Sequence, residues 1–364
     1  MKNFRKVAAN AVHRSLTSSN VDGLLLLMSL QRPGYGKAEN AIARAIGSLE
    51  GAETFYGKVM GFEDNKPLAV TVKVGESKVY FSCHLDSVHA KDGVQKVMFD
   101  SELNVAYKDD ETPLGADDAA GIWIMLQLIA AGVPGTYGFH FSEERGGRGS
   151  SALARQYPEF LKQFDMAIAF DRRGTTSVIT HQGFGKCCSD EFAQALAAQI
   201  NQGGLELAPD NTGVYTDTAE FVDLIPECTN LSVGYEYEHS KNEMLDLGFV
   251  VRLRDAVIAH FDPATLPIVR APGDYGDEFE YGFGFRYGGY DDLSPRDEYD
   301  LESMSFKEIV KWVKKADPHD VADLLLHLSD RILQREEAGG YDEDGAPKAW
   351  GQPKDYNDYD DERF

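Results

Sequence analysis

Basic residues are scarce in this 364-residue chain: 36 Lys and Arg stand against 60 Asp and Glu, a formal net charge of −24. Without a basic footprint to neutralise phosphates, nucleic acid is excluded as a main partner. An anionic membrane surface is disfavoured for the same reason. Long apolar runs are missing too. The longest nearly apolar stretch, Ile122 to Ala131, is interrupted by Gln127 and falls well short of the ~20 residues that span a bilayer. No apolar core follows the basic amino-terminal segment directly, so no secretory signal is expected. Cysteine is rare. Cys83, Cys187, Cys188 and Cys228 form no C-x-x-C pair, and reduced thiols in a cytoplasmic protein are the expectation. H-E-x-x-H, the P-loop and the G-x-S-x-G elbow are all absent. Gly282, Gly284 and Gly288 are spaced one residue too long for a dinucleotide fingerprint, and no repeat is present.

What is present falls into two compositions. Residues 1–265 alternate strand-like apolar runs with helical stretches, the pattern of an α/β domain. Helices are expected over Val21–Leu30, Lys37–Leu49, Ala119–Ala131, Phe192–Ile200 and Leu247–His260, and strands over Thr136–Ser142, Asp165–Phe170 and Asn230–Gly234. Ala69–Val74 and Lys78–Cys83, flanking Gly75-Glu76-Ser77, read as a β-hairpin. Residues 271–364 hold 25 acidic and 11 basic side chains and so carry −14 of the −24. A Gly/Tyr/Asp-rich linker is expected over 266–303 and a helical pair over 304–337. The pair starts at a Ser305–Glu308 capping box and continues behind Asp317-Pro318 with a Val321, Leu324, Leu325, Leu328, Ile332 stripe. The acidic tail, 338–364, is too polar to fold alone.

The residues able to do chemistry stand at or near the ends of apolar runs. His84-Leu-Asp86 follows VYFSC, Asp117-Asp118 precedes a helix, Glu143-Glu144 follows YGFHFS, Asp171 follows MAIAF, and His239 lies shortly after Gly234. Singly, each reads as a solvated strand end or a helix cap. Together they would converge, because the carboxyl ends of strands in an open α/β sheet meet at one crevice. Adjacent carboxylates buried together need compensating cations, and imidazole with carboxylate suits zinc, manganese or cobalt better than calcium.

The set HLD, LGADDAAG, SEE and a late His, in that order over Val21 to Leu253, resembles the co-catalytic di-zinc exopeptidase superfamily. Its members include bacterial leucyl aminopeptidases, peptidase T and the acetylornithine-deacetylase group. The resemblance implies a mixed, mostly parallel sheet with helices on both faces, of the phosphorylase/hydrolase-like kind, here with an acidic helical carboxyl-terminal extension. It implies two divalent metals, zinc first and cobalt or manganese as alternatives. His84 and Asp171 would hold one, Glu144 and His239 the other, and Asp117 would bridge them. Asp86 would orient His84, Asp118 would cap the helix or shape the turn, and Glu143 would be general base toward a metal-bridging water. Only 31 residues separate Asp86 from Asp117 and 68 separate Asp171 from His239, so neither of the family's insertions fits. The compact aminopeptidase type, without a lid, is the expectation.

That reading makes the protein a metallo-exopeptidase, an aminopeptidase acting on short peptides. Arg172-Arg173, unexpected after a ligand Asp, could pair with nearby acids or grip a substrate carboxylate. They keep a second reading open, a deacylase or carboxypeptidase taking acylated amino acids at the same centre. The Tyr215–Phe221 segment, with Asp217, resembles a substrate-side loop. His89, His140 and His181 are expected to be structural. A third reading is an inactive scaffold that recruits a protein partner through its acidic carboxyl-terminal segment.

Overall fold

The structure, a computed structural model, describes residues 4–182 and 185–276. Its centre is an eight-stranded sheet. In chain order the strands are β1 Ala52–Gly57, β2 Lys66–Val74, β3 Val79–His84, β4 Gly135–His140, β5 Met166–Arg172, β6 Ser177–Ile179, β7 Ala208–Asp210 and β8 Glu227–Ser232. Across the sheet they run β7-β6-β8-β5-β3-β4-β2-β1. The four central strands β8, β5, β3 and β4 are mutually parallel, while β2 joins β4, and β6 joins β8, antiparallel.

Every residue of β3 is buried, the mark of a strand covered on both faces. Val79, Phe81 and Cys83 enter one apolar cluster and Tyr80 the other, as the two-residue period of a strand requires. The helices longer than one turn are α1 Phe4–Thr17, α2 Asp22–Met28, α3 Lys37–Ile46, α4 Ala116–Ala130, α5 Arg148–Gln156, α6 Asp190–Ile200 and α7 Leu247–His260. Helix α4 is buried on every side from Ala116 to Leu128, which explains why it is apolar all round from Ala119 to Leu126. It lies between β3 and β5 below and α1, α2 and α7 above. On the opposite face α5 packs on β2, and the turn Asp217–Phe221 packs on β3, β5 and β8.

The expected mixed α/β architecture is therefore present, with three differences. The hairpin is the first: β2 and β3 form, but β4 lies between them and pairs with both. A short turn marks where a strand ends; it does not choose the partner when a later strand offers a longer, fully buried ladder. Second, α1 carries no long apolar run, yet Ala8, Ala11, Val12 and Ser15 make a buried stripe at helical spacing. Third, a linker beginning at 266 starts too early. Backbone N–H groups of Val269 and Arg270 donate to buried Glu227, and the Arg270 guanidinium takes the carbonyls of Val222, Ile225 and Pro226. The expected helical pair 304–337 and the tail 338–364 lie outside the described residues.

Among the described residues no helix is long and apolar enough to cross a membrane.

Candidate metal centre

The parallel register brings the strand ends level: His84 stands beside His140, and Ser232 beside Arg172. The chemistry follows from that alignment. His84 ends β3, Glu143 and Glu144 leave β4 through Ser142, Asp171 is at the end of β5, and His239 lies in the loop after β8. Asp117 arrives from the side, at the start of α4. Gly121 allows this approach, since a Cβ there would stand 2.3 Å from the Phe170 carbonyl oxygen.

Two ligand groups result, His84/Asp117/Asp171 and Asp117/Glu144/His239, each with one ligand atom per residue and all of those atoms within 4.8 Å of one another. Asp117 is shared by both. Its Oδ1 is 2.8 Å from His84 Nε2 and its Oδ2 is 3.1 Å from His239 Nε2. His84 Nε2 also stands 3.5 Å from Asp171 Oδ1, and His239 Nε2 is 3.0 Å from Glu144 Oε2. The other His84 nitrogen faces Asp86 at 3.3 Å, and Asp86 in turn accepts the Glu143 backbone N–H at 2.9 Å. Asp118 turns away, accepting the N–H groups of Gly121 and His84. Ser142 and His239, both non-glycine, hold left-handed backbone with φ of 59° and 61°, the kind of outlier that gathers at functional sites.

Carboxylates outnumber bases here. Burial alone would lower His84, but Asp171, Asp117 and Asp86 outweigh it and raise its pKa. Hydrogen bonds that the imidazole donates to Asp117 and Glu144 push His239 up to about 11. Asp117 goes the other way: burial is overcome by the two imidazoles, which hold it below the usual carboxylate range. Burial and neighbouring Asp117 raise Glu144 to about 7. Burial, with Asp171, Asp217 and Glu144 close by, raises Glu143 well above its ordinary value. Such an excess of negative charge fits divalent cations, and nitrogen and oxygen donors without sulfur fit a catalytic zinc-type centre.

A cavity of about 370 Å³ opens over this centre, lined by His84, Asp117, Glu143, Glu144, Asp171 and His239. Arg172, Arg173 and Tyr215 also line it. Arg173 pairs with Glu238 at 3.2 Å. Asp217 does not belong to the wall, contrary to expectation. It is fully buried beside Ser150, because its turn packs under β3, β5 and β8. His89 bonds Ser87 and the Pro113 carbonyl, His140 the Tyr80 hydroxyl, and His181 the Thr180 hydroxyl.

Several supporting residues carry no local signal. Asp171 is fixed by Thr216, Tyr235 and Asn230 at 2.6–3.1 Å. The Asp117 backbone is gripped from two sides. Buried Glu243 accepts the N–H groups of Gly115 and Asp117 at 2.9 and 3.0 Å. Fully buried Arg32 donates to their carbonyls at 3.0 and 3.5 Å and also to those of Leu27, Leu85 and Asp86. Glu243, four residues past His239, reads in the sequence as a solvated loop acid.

The profile of Peptidase family M28 matches residues 68–245, which contain both ligand groups. Aminopeptidase PepT from Bacillus cereus ATCC 10987 has a similar fold, with a TM-score of 0.53 and 16% identity, over 66% of this chain and 96% of that one. A tripeptidase from Staphylococcus aureus subsp. aureus Mu50 gives 0.54 and 16%, over 68% and 96%. No curated protein sequence matches significantly. Residues 68–245 are thus a Peptidase family M28 segment, a metallopeptidase domain whose fold is similar to that of these two enzymes.

Proposed function

We propose that the protein is an aminopeptidase acting on short peptides, with Asp117 bridging two divalent metals. The observation that carries this reading is the shared Asp117, whose two oxygens face different imidazoles within one cavity. His84 and Asp171 would complete one site, Glu144 and His239 the other, with zinc favoured by the donor set and cobalt or manganese as alternatives. When bound, the metals would polarise the scissile carbonyl and acidify water. Asp86 keeps the His84 ring oriented, with its second nitrogen turned toward the centre. Glu143 lines the same cavity, its backbone tied to Asp86. It would take a proton from the attacking water and deliver it to the leaving amine. Four buried free cysteines suit a reducing compartment and support a cytoplasmic location.

Glu143→Ala should keep the fold and the metal content but lose at least a hundredfold in kcat. Turnover near wild type in that variant would refute the assignment. Matched peptides separate the readings: an aminopeptidase needs a free amino end, whereas a deacylase or carboxypeptidase cleaves when that end is blocked.

A further inference from the structure

Arg172 and Arg173 both line the cavity, but the structure treats them differently. Arg173 is half exposed and already neutralised by Glu238 at 3.2 Å. Arg172 has only 14% of its side chain exposed. Its Nη2 donates to the Thr212 hydroxyl and carbonyl at 3.0 and 3.2 Å, which fixes the guanidinium plane. The nearest carboxylate is Asp210, at 3.8 Å. Asp210 is already occupied by Ser177 and by the Thr212 backbone and hydroxyl, at 2.6–2.8 Å. Among the described residues, Nε and Nη1 of Arg172 make no hydrogen bond, and Nε is buried. A largely desolvated guanidinium with open donors is costly unless a partner completes it. A guanidinium held in place through Nη2, with Nη1 open, suits a charge-assisted hydrogen bond to a carboxylate, since little side-chain entropy remains to be lost on binding.

We infer that Arg172 anchors a carboxylate of the substrate, so that the cavity selects small peptides bearing that group near the scissile bond. This rests on the peptidase reading above and adds the substrate class. A peptide can offer the carboxylate from its carboxyl end or from an acidic side chain, and the chemistry at Arg172 is the same.

The test begins with ligands that hold no peptide bond, so that it stands apart from turnover. Binding of 3-phenylpropionate and of its neutral counterpart 3-phenylpropanol to the zinc-loaded full chain is measured by calorimetry. Wild type should favour the acid by about tenfold or more, the scale of a hydrogen bond to a charged group. Arg172→Gln should bring the ratio to within about twofold of unity. Arg172→Lys, which keeps the charge and loses the guanidinium held by Thr212, should lie between and carries the test if the glutamine variant does not fold. No preference in wild type, or an undiminished preference in the variants, would overturn the proposal. The source of the carboxylate is then read from wild-type kcat/KM on Ala-Ala against Ala-Ala-amide, and on Glu-Ala-amide against Gln-Ala-amide. The pair that differs names the source, and measurable but equal rates within both pairs would also overturn it. A chain that binds the acid selectively yet hydrolyses none of these peptides would sink the peptidase reading and leave the anchor standing.

Discussion

Removing Glu243 tests whether the bridging aspartate is held by residues far from it in the chain. In Glu243→Ala the N–H groups of Gly115 and Asp117 both lose their acceptor, and the site is only 2% exposed. Two hydrogen bonds to a charged acceptor are together worth about 3–6 kcal/mol. Part of that is offset, because burial raises the Glu243 carboxyl to about 7 and its desolvation is relieved on removal. A net loss of about 2–4 kcal/mol is expected, a large fraction of the roughly 5–15 kcal/mol that stabilises a domain. The same change loosens Asp117, which belongs to both ligand groups. Zinc affinity should therefore fall about 10- to 100-fold, as it does when partners that orient ligands are lost. Urea unfolding of the metal-free protein gives the first quantity, and competition with a chromophoric chelator gives the second. Wild-type zinc affinity in a protein destabilised as expected would reduce Glu243 to a packing role. Unchanged stability would refute the hydrogen-bond reasoning itself.

Asp117→Ala should abolish binding at both sites, and two metals per chain by elemental analysis would remove Asp117 as the bridge. His140, beside His84 but in neither ligand group, offers a pH test. Burial lowers its pKa from 6.5 to about 3, so its contribution is complete above pH 6.5 and is lost as the pH falls toward 3. The loss should be roughly 2–3 kcal/mol between pH 6.5 and 4.5, at about 1.4 kcal/mol per unit once the unfolded imidazole is mostly protonated. The stability difference between wild type and His140→Gln should shift by that amount over the interval in urea titrations. A flat difference would mean that His140 is not buried neutral.

The chemistry of the site was legible because it sits at element ends. HLD, ADD, SEE and Asp171 each adjoin an apolar run whose length and termination are local properties, and the fold places those ends together. The two arginines were visible but indistinguishable as Arg172-Arg173. Only Thr212 and Glu238, 40 and 65 residues away, separate a held guanidinium from a neutralised one. Asp217 illustrates the reverse. A polar acid in the segment Tyr215–Phe221 reads as facing a substrate, yet its short helical turn is pressed against the underside of the sheet.

By itself the sequence determined the α/β class, the helix and strand assignments over most of residues 21–260, the acidic charge and the residue types gathered at the centre. Periodicity and termination signals act over a few residues, so they survive reading without a structure. Tertiary structure alone decided that β4 inserts between β2 and β3, that Arg32 and Glu243 grip the Asp117 backbone from opposite sides, and that Arg172 keeps open donors in the cavity wall. Each depends on hydrogen bonds between segments far apart in the chain, 128 residues in the case of Glu243 and Gly115. The energy of such contacts resides in a pairing that no local stretch encodes.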